Sequence, residues 1–125
     1  MTFTSNTIQA NGITQHYYRS GGDKPPLVLM HGFTDDGACW FPFAEGLIQD
    51  YDVIMPDARA HGKSSRVAGI GFSNEALADD AAAFIQALAL DRPLLPVPTL
   101  AALAMRAQGG RIVSAIASSC RSTAR

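Results

Sequence analysis

The sequence predicts an α/β protein: a β-hairpin followed by parallel strand–helix units. Three observations lead there. An Asn11-Gly12 pair sits between two stretches of alternating polarity. Two short runs, residues 27–30 and 51–55, are apolar with little alternation, the pattern of strands buried on both faces. Each run is followed, after a polar turn, by an apolar pattern of helical period. Strands alternating with helices imply a largely parallel sheet covered on both sides.

Residues 3–9 and 13–19 are the arms of the hairpin, since Asn-Gly suits a turn whose two central residues both need positive φ. Residues 20–26 form a loop ending in two prolines. The first buried strand, 27–30, stops at His31-Gly32. Asp35 or Asp36 caps a helix expected over residues 38–49, with Trp40, Phe43, Ala44 and Leu47 on its apolar face and Pro42 near its first turn. The second buried strand, 51–55, ends at Pro56, and a polar, glycine-containing loop covers residues 57–71. Ser73 caps a long helix over 74–90, buried through Leu77, Ala81, Phe84, Ile85 and Leu88, with Asp79 and Asp80 near its positive end. Leu94 and Leu95 begin a third parallel strand, interrupted by Pro96 and Pro98. A helix over 100–107 and a short strand over 112–116 follow.

Composition narrows the function. With 125 residues, 47% hydrophobic and 17% charged, the chain suits one small folded domain rather than a disordered segment. A net charge of −1 gives no reason to expect nucleic acid or an anionic membrane as partner. The N-terminus lacks a basic-then-apolar leader, and Asp79, Asp80 and Gln86 interrupt the weakly polar stretch 76–90, so neither a signal peptide nor a membrane span is expected. Cys39 and Cys120 are far apart and form no CxxC, which favours a reducing, cytoplasmic setting and implies no metal or other cofactor. One shift stands out: all 11 acidic residues lie at or before Asp91, all aromatic residues lie at or before Phe84, and from Arg92 onward arginine is the only charged residue.

Chemistry is expected where the buried strands end, because ligands of open parallel sheets bind beyond the carboxyl ends of the strands. Two turns lie there: His31-Gly32-Phe33 and the stretch 57–65, Asp-Ala-Arg-Ala-His-Gly-Lys-Ser-Ser. Gly62-Lys63-Ser64 invites a phosphate-loop reading, but the position that would need glycine is Asp57, whose carboxylate repels phosphate. Taken in order, the strand ending His-Gly-Phe, the Trp-containing segment, the Pro-Asp-Ala-Arg-Ala-His-Gly-Lys-Ser loop and the long helix ending Leu-Asp-Arg-Pro resemble the α/β-hydrolase family over about residues 8–95.

The resemblance implies the N-terminal part of an α/β-hydrolase fold. The backbone N–H of Phe33 would be one oxyanion donor, with His31 and Gly32 shaping its turn. Asp57, Arg59, His61, Gly62 and Ser64 match the family's Asp-x-Arg-Gly-His-Gly-x-Ser loop, with Ala60 where glycine usually stands, and their implied role is mainly architectural. The nucleophile elbow, Gly-x-Ser-x-Gly in the family, falls on residues 97–101. There Thr99 takes the nucleophile position, flanked by Val97 and Ala101 in place of the glycines. The family's acid and base follow the elbow in chain order, whereas this chain has only His16, His31 and His61.

The expected organisation is therefore residues 1–95 as the front half of a hydrolase core and 96–125 as a divergent tail from truncation or a shifted reading frame. The implied activity is hydrolysis of a small ester, epoxide or related molecule in an intact relative, with this chain inactive by itself and prone to self-association through an exposed sheet edge. The alternative is a non-catalytic interaction module or gene-fragment product.

Overall fold

The structure is a computed structural model and describes residues 3–31, 35–66 and 74–95. Strands β1 (Thr4–Ala10) and β2 (Ile13–Arg19) form the hairpin, β3 (Pro26–Val28) and β4 (Asp52–Pro56) form the parallel pair, and two helices, α1 (Phe41–Glu45) and α2 (Asn74–Ala87), complete the architecture. The sheet order is β1-β2-β4-β3. The β1–β2 and β2–β4 pairings are antiparallel and β3–β4 is parallel, so the sheet is mixed. Asn11 and Gly12 take φ of 52° and 75°, as the turn between β1 and β2 requires.

All five residues of β4 are buried, which explains its lack of alternation. Leu27, Leu29, Val53 and Met55 pack on one face with Phe3 and Ala44, joined by Tyr18, Trp40 and Phe41. Val28, Ile54 and Tyr17 pack on the other against Phe84 of α2. The period of two along each strand thus separates two layers of core, one beneath the α1 region and one beneath α2. Leu94 joins the outer side of β3 as a single parallel bridge to Leu27, with Val28 N–H donating to the Leu94 carbonyl at 2.9 Å and Leu94 N–H donating to that of Pro26 at 2.9 Å. The third strand is present at this one residue; the elements expected over 100–107 and 112–116 lie outside the described residues.

The helix expected over 38–49 is instead a 3-10 turn, Gly37–Trp40, running into the five-residue α1. Asp36 caps the turn, accepting from the Ala38 N–H at 3.0 Å. The 3-10 turn winds more tightly than an α-helix, and Pro42, lacking an N–H, fits only in the first turn of α1. Both shift the apolar stripe onto Phe41, Ala44, Leu47 and Ile48. Phe43, expected in that stripe, is 58% exposed.

The helix expected over 74–90 ends at Ala87, because Ala89 turns to a left-handed φ of 50°. Within α2, Ala78, Ala81, Phe84 and Ile85 are buried and Leu77 is half-buried, as is Leu88 just beyond it. Asp80 is also buried: it holds Arg59, rather than facing the helix dipole as the sequence suggested. Phe84, fully buried against Tyr17, Val28 and Ile54, is the main anchor of α2. Phe84→Ala should lower the free energy of unfolding by about 3 kcal/mol or more through lost burial and a residual cavity. In the same denaturant titration, Gln86→Ala on the exposed side should change it by less than about 0.5 kcal/mol.

Candidate functional site

Parallel pairing of β3 with β4 brings their carboxyl ends to the same edge of the sheet, and those ends deliver His31 and Asp57. Asp57 is 1% exposed. Its Oδ1 accepts from the Gly37 N–H at 2.6 Å, and its Oδ2 accepts from the Lys63 N–H at 2.9 Å and pairs with His16 Nδ1 at 2.8 Å. Its carbonyl accepts from the Ser64 hydroxyl at 2.7 Å and from Gln15 Nε2 at 3.3 Å. A buried carboxylate needs such partners, because leaving it unpaired would cost several kcal/mol. Here the partners come from the hairpin, the turn before α1 and the loop after β4. A Cβ on Gly62, which has φ +49°, would run into this carboxylate, and one on Gly37 would come within 2.5 Å of the Met55 carbonyl oxygen.

The loop after β4 is stitched to β2. Ser64 Oγ accepts from the His16 N–H at 2.9 Å, Ser65 N–H donates to the Thr14 carbonyl at 2.9 Å, and Thr14 N–H donates to Ser65 Oγ at 2.8 Å. Arg59, 6% exposed, forms a two-pronged pair with Asp80 at 2.5 and 2.8 Å, and Asn11 Nδ2 donates to the same carboxylate at 2.8 Å. The hydrogen bond to Asp80 raises the Arg59 pKa against the opposing effect of burial. Arg59 therefore ties the loop to α2. Ala60 sits at φ 61°, a left-handed conformation that favours glycine.

His31 is buried, and its Nε2 accepts from the Ala58 N–H at 2.9 Å. An amide can donate only to a nitrogen lone pair, so the ring carries its proton on Nδ1. His61 Nδ1 lies 2.9 Å from the Arg59 carbonyl and donates to it, and the His31 and His61 rings stand 5.1 Å apart. Among the residues singled out by sequence, His31, Asp57, Arg59, His61, Gly62 and Ser64 thus gather at one end of the sheet, all tied into the scaffold. Gly32, Phe33 and Thr99 lie outside the described residues.

Three participants escaped the sequence reading. His16 appeared there only as a histidine too early in the chain for the family's base, yet its Nε2 lies 2.6 Å from Ser5 Oγ while its Nδ1 meets Asp57. Gly37 supplies the shortest bond to Asp57. Asp52, buried at the start of β4, grips Arg19 through bonds of 2.6 to 3.1 Å. The His-Tyr pair in an alternating strand was the available signal for His16, because it places a polar ring on the face that packs against the next loop. Cys39, exposed beside Asp35 and Asp36, has its thiol pKa raised, first by partial burial and then by those carboxylates, and so is a poor nucleophile at neutral pH. Among the described residues, no group of three or more His, Cys, Asp or Glu side chains could hold a metal ion, and no helix is long and apolar enough to cross a membrane.

Residues 25–95 match the sequence profile of the alpha/beta hydrolase fold family. The chain belongs to that family. It is 39% identical over 84 residues to N-formylmaleamate deformylase of Pseudomonas putida, a match covering 67% of this chain and 31% of that protein. It is 38% identical over 65 residues to (E)-2-((N-methylformamido)methylene)succinate hydrolase of Acinetobacter baylyi, covering 51% of this chain and 24% of that one. Among solved structures, an N-formylmaleamic acid deformylase from Pseudomonas putida S16 superposes with a TM-score of 0.73 at 29% identity, over 85% of this chain and 42% of that one. The matched segment thus spans less than half the length of these relatives.

Two outcomes follow from the site. Ala60→Gly removes a Cβ from a left-handed position, and should raise the free energy of unfolding by about 1 kcal/mol, less the added chain entropy. Alkylation of Cys39, followed by peptide mass spectrometry, should keep accelerating above the pH at which a free cysteine has levelled off, because a raised pKa delays the thiolate. A plateau at or below the free-thiol midpoint would contradict that.

Proposed function

We propose that residues 1–95 are the front half of a hydrolase core acting on a small carbonyl compound that bears carboxylate groups, with a formamide-type C–N bond as the favoured target. The observation that carries the proposal is the His31–Ala58 hydrogen bond at 2.9 Å, which fixes His31 against the Asp57 loop. In the family pattern the oxyanion donor is the backbone amide of Phe33, two residues after this fixed histidine. One such preorganised donor contributes about 3 kcal/mol to a transition state. The substrate class is supported by the names of two relatives, each describing a formamide carried on a carboxylate-bearing skeleton. A dehalogenase and an epoxide hydrolase also match, at 33% and 30% identity, so the half-core is compatible with more than one displacement at carbon.

The nucleophile and its base are the parts this segment does not supply. Thr99 holds the nucleophile position in the family pattern, and residues 96–125 contain neither histidine nor acid to activate it. We therefore read 96–125 as a tail unrelated to the hydrolase core and the chain alone as catalytically silent toward the family's substrates. Self-association, or uptake of further strands, would take place on the β3 side of the sheet, beyond the exposed Leu94 that pairs with β3.

Complementation tests this reading. The 125-residue chain alone should release no formate from N-formylmaleamate above the buffer rate. Co-expressed with the part of the Pseudomonas putida deformylase that follows its matched segment, it should co-purify and release formate. A co-purifying pair without activity would reject the substrate class, and activity of the chain alone that Thr99→Ala abolishes would reject the half-core reading.

A further inference from the structure

Ser5, His16 and Asp57 form a continuous chain of polar contacts on the hairpin side of the Asp57 carboxylate. Ser5 Oγ lies 2.6 Å from His16 Nε2, and His16 Nδ1 lies 2.8 Å from Asp57 Oδ2. The three residues come from β1, β2 and the end of β4, so the sheet itself brings them together. Their burial is graded: Ser5 is exposed, whereas His16 and Asp57 are 2% and 1% exposed. Asp57 also receives the Gly37 and Lys63 amides, which keep the carboxylate aimed at the imidazole. The His16 ring is further held edge-on against Tyr18, with centroids 4.7 Å apart. Tyr18 is the direct cross-strand partner of Ser5, and the Lys63 ammonium lies 5.8 Å from the Tyr18 ring centroid. A hydroxyl on an exposed residue and a base with its second nitrogen fixed by a buried acid are thus grouped on one face of the hairpin.

We propose that Ser5 is a nucleophile that accepts acyl or phosphonyl groups from small activated donors such as aryl esters and fluorophosphonates. Asp57 holds His16 with its proton on Nδ1, leaving the Nε2 lone pair directed at the Ser5 hydroxyl. When Ser5 Oγ attacks an aryl ester, the Oγ–acyl bond forms and the Ser5 proton passes to His16 Nε2. The bond to the aryloxide then breaks, and the aryloxide leaves with that proton. With a fluorophosphonate, an Oγ–P bond replaces the P–F bond, fluoride departs and the proton is released to solvent. This site uses neither the Phe33 amide nor Thr99, so it stands independently of the half-core reading.

The test is reaction of the 125-residue chain with a fluorophosphonate probe, followed by peptide mass spectrometry. The expected result is a stoichiometric adduct on Ser5, formed at least tenfold faster than on any other serine. Ser5→Ala should abolish it while the circular dichroism spectrum stays that of the folded chain, with the melting temperature lowered only by the loss of the one hydrogen bond to His16. His16→Gln should slow labelling of Ser5 by about 100-fold or more, the usual contribution of a general base. Should His16→Gln fail to fold, ¹⁵N chemical shifts of the unsubstituted protein decide the point: the Nδ1–H tautomer supports the relay, and the Nε2–H tautomer overturns it. Labelling spread evenly over the serines, the absence of any Ser5 adduct, or a folded His16→Gln variant labelled at the original rate would each overturn it as well.

Discussion

The described structure depends on burying one negative charge, the Asp57 carboxylate. Two amides and an imidazole meet its oxygens, and each partner belongs to a different segment: Gly37 to the turn before α1, Lys63 to the loop after β4, and His16 to the hairpin. Hydrogen bonds to an ionised acceptor contribute about 1.5–3 kcal/mol each, and the carboxylate has no alternative in water once the sheet closes over it. The loop after β4 takes its shape from this requirement. Gly62 needs positive φ with no Cβ, and Gly37 needs its backbone to come close to β4. The loop is therefore a fixed wall of the site, and its conformation is decided by a buried acid rather than by contact with a ligand.

A second buried acid extends the same logic to the far face of the sheet. Asp80 on α2 neutralises Arg59 and accepts from Asn11 at the hairpin turn, so one carboxylate locks loop, helix and hairpin together. Phe84 packs a turn further along α2 against Tyr17 and Ile54. The polar clamp sets the position of α2 along the sheet, and the aromatic contact supplies burial energy. Neither alone would do both, because ion pairs are directional but gain little net stability, while apolar packing is favourable but tolerant of sliding.

What could be read from the sequence follows the range of the interactions. The hairpin was legible because Asn11 and Gly12 determine their own backbone angles. The buried strands were legible because β4 is covered on both faces and has no alternation to hide. That His31 and Asp57 lie at one edge was legible because the direction of two parallel strands alone places their carboxyl ends together. The helix over 38–49 was misjudged because a helical period was assumed through Gly37–Trp40, where the chain winds as a 3-10 turn and carries Phe43 to the surface. The Asp57 network was invisible because its partners lie 6, 20 and 41 residues away in sequence. A polar residue in a strand does not disclose which distant carboxylate it will face.

The histidines show how one residue type divides its work according to what the backbone offers. His31 receives the Ala58 amide on Nε2, so that nitrogen is committed to holding two turns together. His61 gives its Nδ1 proton to the carbonyl of Arg59, two residues earlier, and stiffens its own loop. His16 has one nitrogen on a buried carboxylate and the other on a side-chain hydroxyl. A backbone partner turns an imidazole into a structural tie, because neither amide nor carbonyl can exchange a proton usefully at neutral pH. A carboxylate on one side and a hydroxyl on the other leave the ring able to take a proton and return it. The chemical setting of each imidazole in this segment thus follows from the groups its own strand or turn brings within reach, which sequence order alone does not disclose.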